Sequence, residues 1–247
     1  MIDLPPPQKW RPQHFKSKNV ELGLSGEAGA STMQLMKTFA FIDASNLFYG
    51  GQKSLGWSID YAKLLDYLRE KYGIERAYYF GGVEIHRFLF NYLEHDTVPI
   101  KQLEEYLVDL IKREGKSMTE AKLLLLDRHL KRVHFYRKLE QFGYTLVLKP
   151  VKTYEDEDGN PRRKANCDVD MAYYLMRERG EYKRAIVLSG DGDFLPVLKF
   201  LQTNKKEVLL LARGPRTAKE IKQFAGSKFR DFEYLRERLK RDDAKKR

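Results

Sequence analysis

Residues 184–212 read RAIVLSGDGDFLPVLKFLQTNKKEVLLLA, and this stretch decides the fold. It holds an apolar strand, a turn rich in Gly and Asp, a segment with Phe194, Leu198 and Leu201 at helical spacing, and a second apolar strand. Runs that are apolar on both faces and separated by helices indicate a parallel sheet covered on both sides. The stretch therefore predicts an α/β fold.

The same alternation occurs earlier in the chain. TFAFID (38–43) and ERAYYFGGV (75–83) are strand-like and flank a helical pattern that Gly73 ends, while YTLVLKPV (144–151) precedes a helix expected from about Asp168 to Arg179. Between Glu84 and Phe142 the helical pattern is longer than one crossover needs. The sequence predicts a doubly wound sheet, mainly parallel and flanked by helices, with an extended helical insertion.

The length of 247 residues suits one main domain with additions. We expect residues 1–35, which combine a Pro run with Gly and Ser, to form a flexible N-terminal arm. The folded domain is expected over 36–235, with the helical elaboration at 84–142 and a basic C-terminal tail at 236–247.

Composition narrows the function classes. The net charge of +11 favours a polyanionic partner, although solvated Lys and Arg give the same excess. Cys167 is the only cysteine, which excludes an intrachain disulfide and a thiolate zinc cluster and favours a buried thiol. Because no apolar run is long enough to span a bilayer and no secretory signal begins the sequence, we expect a cytoplasmic protein without membrane contact.

Acidic residues recur beside the predicted strands. Asp43 ends the first strand, Asp168 and Asp170 lie in CDVDMA, and Asp191 and Asp193 follow the strand RAIVLSG. If the first strand and the RAIVLSG strand are neighbours, three of these carboxylates converge at the carboxyl edge of the sheet. Gathered carboxylates need a cation to offset their repulsion, so the pattern favours a hard divalent metal and phosphodiester cleavage.

Each acid also has a purely structural interpretation. Asp168 could be only a helix N-cap, and Asp170, on another side of that helix, is the better ligand of the pair. Asp191 and Asp193 could simply form a turn around the neighbouring glycines, and Asp43 could be a strand-end turn residue.

Polar residues beside the acids are candidates for supporting roles. Asn46 and Ser189 could hold a water or orient a carboxylate, although local turn hydrogen bonds explain them equally well. The segment KTYEDEDGNPRRKAN (152–166) has a DG turn and predicts a hairpin or a mobile loop. Basic residues in and before it could hold a phosphate backbone: Lys149, Lys152, Arg162, Arg163 and Lys164. A second basic group, which could equally be a solvated helix face, comprises Arg128, Lys131, Arg132, Arg137 and Lys138.

Four blocks together resemble a known family. FIDASNLFYG (41–50), KPVKTY (149–154), KANCDVDMAYYLM (164–176) and AIVLSGDGDFLPVLKFLQTNKKEVLLLA (185–212) are similar to the NYN domain, the LabA-like branch of the PIN-type nuclease superfamily. The resemblance covers about residues 36–235, and its most specific parts are the first strand and SGDGDF. It implies a PIN-like fold and metal-dependent ribonuclease activity.

The resemblance also implies a site. By position, the acidic and catalytic residues would be Asp43, Asp170, Asp191 and Asp193, with Asp168 as a further metal ligand and Asn46 adjacent. The implied cofactor is Mg²⁺ or Mn²⁺, and the partner is RNA, with single-stranded DNA left open. A water nucleophile and the absence of paired histidines from the motifs predict a 5′-phosphate product. A homodimer is compatible with this sequence, which shows no readable interface.

Two other function classes compete. Haloacid-dehalogenase-type phosphatases also use a strand-end Asp, but they need a second Asp two residues later, where this chain has Ser45. A non-catalytic module that binds RNA or a protein partner would retain the fold without turnover. The complete set of acids favours the enzyme.

Overall fold

The computed structural model of the protein describes residues 37–47, 55–155 and 161–242. Its strands are β1 (Thr38–Asp43), β2 (Ile74–Val83), β3 (Thr145–Pro150), β4 (Lys152–Glu155), β5 (Pro161–Lys164), β6 (Arg184–Leu188), β7 (Glu207–Ala212) and β8 (Phe229–Asp231). Its helices are α1 (Tyr61–Tyr72), α2 (Ile100–Glu114), α3 (Glu120–Phe142), α4 (Asp168–Arg177), α5 (Leu195–Thr203), α6 (Lys219–Ala225) and α7 (Arg236–Leu239).

Six strands form one sheet in the order β3-β2-β1-β6-β7-β8. Every neighbouring pair in it is parallel. The order runs outward in both directions from β1 and β6, so these two strands flank the point at which the winding reverses. This arrangement confirms the predicted α/β doubly wound sheet. The remaining strands, β4 and β5, pair antiparallel as the predicted hairpin.

The sheet is buried on both faces. Along β1, Ala40 and Ile42 belong to one hydrophobic cluster, and Phe39 and Phe41 belong to the other. Helices α1, α2 and α3 contribute to the first cluster, whereas α4, α5 and α6 contribute to the second. A strand covered on both faces must be apolar at successive positions, which explains the unbroken TFAFI run.

Helix α1 shows why the first crossover has its observed length. The Asp60 side chain accepts hydrogen bonds from the backbone N–H groups of Ala62 (2.9 Å) and Lys63 (3.1 Å) and so caps the start of the helix. The helix ends at Gly73, whose φ of 62° lies in the left-handed region that glycine adopts without strain. The end at Gly73 was predicted from the sequence, whereas the Asp60 cap was not.

The helical elaboration consists of α2 and α3, which pack together and are joined by an ion pair between Arg137 Nε and Glu104 Oε2 at 3.2 Å. Regular helix begins only at Ile100, although the apolar pattern suggested helix soon after Glu84. Residues 84–99 form turns and irregular backbone instead. Pro99 restricts its own φ and disfavours helix in the residue before it, which places the helix start after it.

Some expectations fall outside the described residues, namely the arm at 1–35 and the last five residues of the tail. The described part of the tail, residues 236–242, packs against the domain. Leu239 in α7 is fully buried, and its carbonyl accepts a 2.8 Å hydrogen bond from the Asp60 N–H. Among the described residues, no helix is both long and apolar enough to cross a membrane.

Candidate active site

Asp43 is a buried carboxylate at the carboxyl end of β1, with only 4% of its surface exposed. Its Oδ1 atom accepts three hydrogen bonds, from Ser45 N (2.9 Å), Ser45 Oγ (2.7 Å) and Asn46 N (3.1 Å). A carboxylate that accepts several hydrogen bonds can be retained as an anion inside a protein. These hydrogen bonds thus hold the Asp43 carboxylate in one orientation where β1 ends.

Ser189 connects this carboxylate to the neighbouring strand. Its Oγ donates to Asp43 Oδ2 at 3.1 Å and accepts a 3.3 Å hydrogen bond from the backbone N–H of Asp191. The contact follows from the parallel register of β1 and β6, in which Ile42 lies opposite Leu188. The predicted meeting of these two strand ends is therefore present, with Ser189 as the orienting group.

Asp191 and Asp193 occupy the turn after β6. The Oδ1 atom of Asp191 accepts a 3.0 Å hydrogen bond from the Asp193 N–H, so Asp191 caps the short helical turn Gly192–Phe194. Asp191 also lines a shallow cleft with Asn46, whereas Asp193 is exposed and lines neither this cleft nor the main cavity among the described residues. Asp191 therefore has the turn-forming role that was its structural alternative, and it also lies at the cleft.

Close packing requires glycine at position 190 of SGDGDF, whereas at position 192 a side chain would meet only the movable end of Glu220. A Cβ atom on Gly190 would lie 2.6 Å from Thr217 Oγ1, and one on Gly192 would lie 2.4 Å from Glu220 Oε1. The loop after β7 therefore presses against the turn that carries Asp191.

Helix α4 places Asp168 and Asp170 differently from the sequence-based expectation. Cys167, not Asp168, is the N-cap residue, and Asp168 is the first residue of the helix. Asp168 lines the same cavity as Asp43. Asp170 Oδ2 lies 2.6 Å from the Lys149 ammonium, and Asp170 is absent from the cavity lining. The structure thus favours Asp168 over Asp170 as the companion of Asp43.

The pKa of the Cys167 thiol depends on the charged groups around it. Burial, with smaller contributions from the carboxylates of Asp170, Asp43 and Asp168, raises the pKa of this thiol to about 12, while Lys149 acts to lower it. The three carboxylates therefore all act on one side chain. They gather around the start of α4, as the sequence suggested.

The main cavity opens beside Asp43 and has a volume of about 800 Å³. Its lining combines three kinds of side chain. The acids are Asp43, Glu84 and Asp168, the bases are Arg128, Lys131, Arg132 and Arg241, and the aromatic residues are Tyr61, Tyr79, Phe80, Phe135 and Tyr136. A cavity with this lining suits a ligand that carries both anionic and aromatic groups.

Glu84 is a site residue that the sequence analysis missed. It directly follows β2 and so lies at the same edge of the sheet as Asp43. The rule that directed attention to Asp43 and Asp191, that ligands bind at the carboxyl ends of parallel strands, applies to it equally. The available signal was its position one residue after the FGGV strand end.

The basic face of α3 divides into two parts. The cavity is lined by Arg128, Lys131 and Arg132. Arg137, farther along α3, instead forms ion pairs with Glu104 of α2 and Glu140 of α3. Burial lowers the pKa of Arg132, but neighbouring Tyr136 and Glu84 outweigh burial and raise it above the ordinary value. This part of α3 therefore presents permanent positive charge to the cavity.

The hairpin residues are only partly described. Lys152 is exposed, and its Nζ lies 5.4 Å from the centre of the Tyr92 ring. The backbones of Arg162, Arg163 and Lys164 pair with β4 in the hairpin, but their side chains fall outside the described part of the structure. The proposed phosphate contact of this rim stays a prediction.

The acidic side chains of the site differ in how well they fit the implied metal ion. Among the described residues, no group of three or more His, Cys, Asp or Glu side chains is arranged to hold an ion. Lys149 supplies the cation that Asp170 binds. The chemistry of the remaining donors fits Mg²⁺ or Mn²⁺, because Asp43 and Asp168 face one cavity and such ions prefer carboxylate oxygens.

Comparisons with known proteins agree with this architecture. Residues 105–236 match the family model of the NYN domain, a span that includes four of the five candidate acids but begins after Asp43. The low amplitude and bright protein LabA of Synechococcus elongatus is 23% identical over 186 residues, which cover 74% of this chain and 76% of that protein.

Two solved structures are also similar. A protein of unknown function from Vibrio parahaemolyticus has a TM-score of 0.53 at 16% identity, covering 81% of this chain and 95% of its own, and so supports the fold. The T5 D15 protein, co-crystallized with metal ions, has a TM-score of 0.35 at 18% identity, covering 70% of this chain and 54% of that one. A TM-score that low supports no inference about this chain.

Proposed function

This chain belongs to the NYN domain family, and from that premise we propose that it is a metal-dependent ribonuclease that cuts single-stranded RNA. Family membership supports a nuclease-type function and hence a nucleic acid partner. The choice of RNA, the metal and the residue roles belong to the proposal.

One observation carries the proposal: the buried carboxylate of Asp43 at the reversal point of the sheet. It is hydrogen-bonded by Ser189 of the adjacent strand end and faces the same cavity as Asp168. Burying a negative charge is costly, and a fold that needed only a turn at this point would not require it. Catalytic groups are often held in this way, by neighbours that fix their orientation.

The roles follow from position. Asp43 and Asp168 would be the principal ligands of Mg²⁺ or Mn²⁺, with Asp170, Asp191 and Asp193 as the other members of the proposed acidic set. When bound, the metal would supply an activated water and neutralise charge on the phosphate. Ser45 and Ser189 orient Asp43 through their hydroxyl groups.

The substrate backbone would meet the basic residues. Arg128 and Arg132 on the cavity wall can bind phosphate oxygens through charge-assisted hydrogen bonds. The rim residues Lys149, Lys152, Arg162, Arg163 and Lys164 would extend this contact along the strand. The expected products carry a 5′-phosphate and a 3′-hydroxyl. Cytoplasmic location and homodimer formation stay predictions.

A cleavage assay tests the proposal. End-labelled single-stranded RNA is incubated with purified protein, with and without Mn²⁺, beside Asp43→Asn, Asp191→Asn and Asp193→Asn. Asp109→Asn is the matched control, because Asp109 is exposed on α2 and pairs with Arg113. We expect Mn²⁺-dependent cutting by the wild type and the control and a loss of at least about a hundredfold in Asp43→Asn. Equal cutting by all variants would indicate a contaminating nuclease and contradict the proposal.

The ion pair between Lys149 and Asp170 favours a second candidate, an RNA-binding module without turnover. An ammonium bound to a carboxylate reduces the attraction of that carboxylate for a metal. In this case the wild type binds RNA but does not cut it under any metal. A phosphatase of the haloacid dehalogenase type has less support, because Ser45 donates a hydrogen bond to Asp43 where that class needs an acid.

A further inference from the structure

The main cavity has a size that suits one nucleotide. Its volume of about 800 Å³ falls within the usual range of small-molecule sites. A base paired inside a duplex would have to leave its stack to enter such a space. An unpaired strand presents its bases without that cost.

Aromatic rings form the floor and one wall of this cavity. Tyr61 and Phe135 contact each other edge to face, with ring centres 5.2 Å apart, and Tyr79 lies beneath them at 3% exposure. Phe135 is only partly buried, so part of its ring remains open. An open aromatic ring beside a buried aromatic floor can stack with a nucleobase of any sequence.

A close approach between α3 and β2 positions one wall of the cavity. The Tyr136 hydroxyl donates to the Gly82 carbonyl at 2.7 Å. A Cβ atom on Gly81 would lie 3.1 Å from that hydroxyl, so glycine at this position lets α3 approach β2. Because Tyr136 and Phe135 are adjacent on α3, this bond also fixes the aromatic wall relative to the sheet.

Charge is distributed unevenly around the rings. Arg128 and Arg132 approach from α3, whereas Asp43 and Asp168 lie at the strand ends. A ligand that spans the cavity would thus meet aromatic surface, positive charge and the proposed metal ligands. A nucleotide unit has a base and a phosphate that match the first two.

We propose that this cavity binds one unpaired nucleotide of the RNA, with its base against Phe135 and Tyr61 and its phosphate at Arg128 and Arg132. This subsite rests on the proposed function and deepens it, because it explains a preference for single strands. The helical elaboration, through α3, provides the specificity of the enzyme for unpaired RNA.

Binding without cleavage tests the subsite. A fluorescent single-stranded oligoribonucleotide of about eight nucleotides is titrated with protein in EDTA, and its anisotropy gives the dissociation constant. The same strand in a duplex, and a series with one abasic position moved along the strand, are titrated beside it. We expect weaker binding of the duplex and a loss of about tenfold at one abasic position.

Single substitutions in the cavity lining test which side chains contact the bound nucleotide. Arg132→Gln should weaken binding of the intact strand by about fivefold or more. Phe135→Leu should weaken binding of the intact strand about tenfold. It should not change binding of the abasic strand that the wild type binds most weakly, because the missing base and the missing ring belong to the same stacking contact. Lys138→Gln is the control, because Lys138 is exposed on the same helix but is not part of the described cavity lining. Circular dichroism and melting curves check that each variant folds. If Phe135→Leu does not fold, the result for Arg132→Gln decides the test.

Several results would overturn the subsite: no binding of the single strand, equal binding of the duplex, no sensitive abasic position, or equal loss in Lys138→Gln. The proposed function fails separately. If the strand binds as expected but no metal supports cutting, the subsite stands and catalysis does not. If Asp43→Asn abolishes cutting while the cavity variants bind normally, catalysis stands and the subsite does not.

Discussion

Ser189 Oγ donates to Asp43 Oδ2 over 3.1 Å, which joins two residues 146 positions apart in the chain. The hydrogen bond links the carboxyl ends of β1 and β6, the two strands between which the winding of the sheet reverses. Ligands of doubly wound sheets bind at this point. The position of the proposed site thus follows from strand order and one side-chain contact.

Ser189→Ala should destabilise the protein and slow RNA cutting. Ser189 is 2% exposed, so its loss leaves the buried Asp43 Oδ2 without this donor. We expect the free energy of unfolding to fall by about 2 kcal/mol in urea titrations. Ser117→Ala, which removes a hydroxyl on an exposed turn, is the control and should change it little. Unchanged stability in Ser189→Ala would mean that the bond contributes nothing.

Lys149→Met should strengthen Mn²⁺ binding. The variant removes the ammonium 2.6 Å from Asp170 Oδ2 and leaves that carboxylate available to a metal. We expect the affinity measured by calorimetry to rise roughly fivefold, equivalent to about 1 kcal/mol for a partly exposed pair. Lys152→Met, which changes an exposed lysine of the hairpin, should leave the affinity unchanged. Weaker binding in Lys149→Met would show that Lys149 supports the metal site.

Gly82→Ala should destabilise the wall of the cavity. The added Cβ atom would lie 2.5 Å from Ala165 Cβ and 3.0 Å from Val151 Cγ2. Overpacking of this kind costs about 1–3 kcal/mol, which urea unfolding can resolve. Gly180→Ala has no heavy atom within 4 Å of the added Cβ and should be near neutral. Equal effects of the two changes would contradict the close approach of β2 to Ala165 and Val151.

Cys167 should be unreactive in the folded protein. Since burial raises its pKa from 9.0 to about 12, almost no thiolate forms at pH 8. A chromogenic disulfide reagent should react slowly with native protein and rapidly after unfolding in urea. Fast native labelling would contradict the raised pKa of the thiol.

The raised pKa of Cys167 also predicts how the stability of the protein depends on pH. Between pH 9 and about 12 the folded state keeps the proton that the unfolded chain releases. The contribution of Cys167 to stability is complete below pH 9 and is lost as the pH rises toward 12. Cys167→Ser should lack this component of the alkaline loss of stability.

Local sequence patterns predicted most elements of the sheet. Apolar runs located β1 and β6, and the Gly73 stop located the end of α1, because these signals lie within a few residues of the feature they determine. The neighbouring positions of β1 and β6 were inferred from a general rule of topology and are confirmed.

Tertiary contacts explain what the sequence left undecided. The pairing of Lys149 with Asp170 and the placement of Asp168 on the cavity depend on how α4 packs against the sheet, which residue spacing does not specify. Likewise, Arg128 and Arg132 could be separated from Arg137 only after the contact of Arg137 with Glu104 was known. Glu84 differs from these residues, because its position directly after β2 is a local signal that the strand-end rule covers.

The most direct test of the account is diffraction from crystals of the protein soaked with Mn²⁺, measured near the absorption edge of manganese. The account predicts an anomalous peak within about 2.5 Å of carboxylate oxygens of both Asp43 and Asp168, and its absence from Asp43→Asn crystals. A soak that leaves these two carboxylates without a peak, or that places manganese only at other residues, would contradict it.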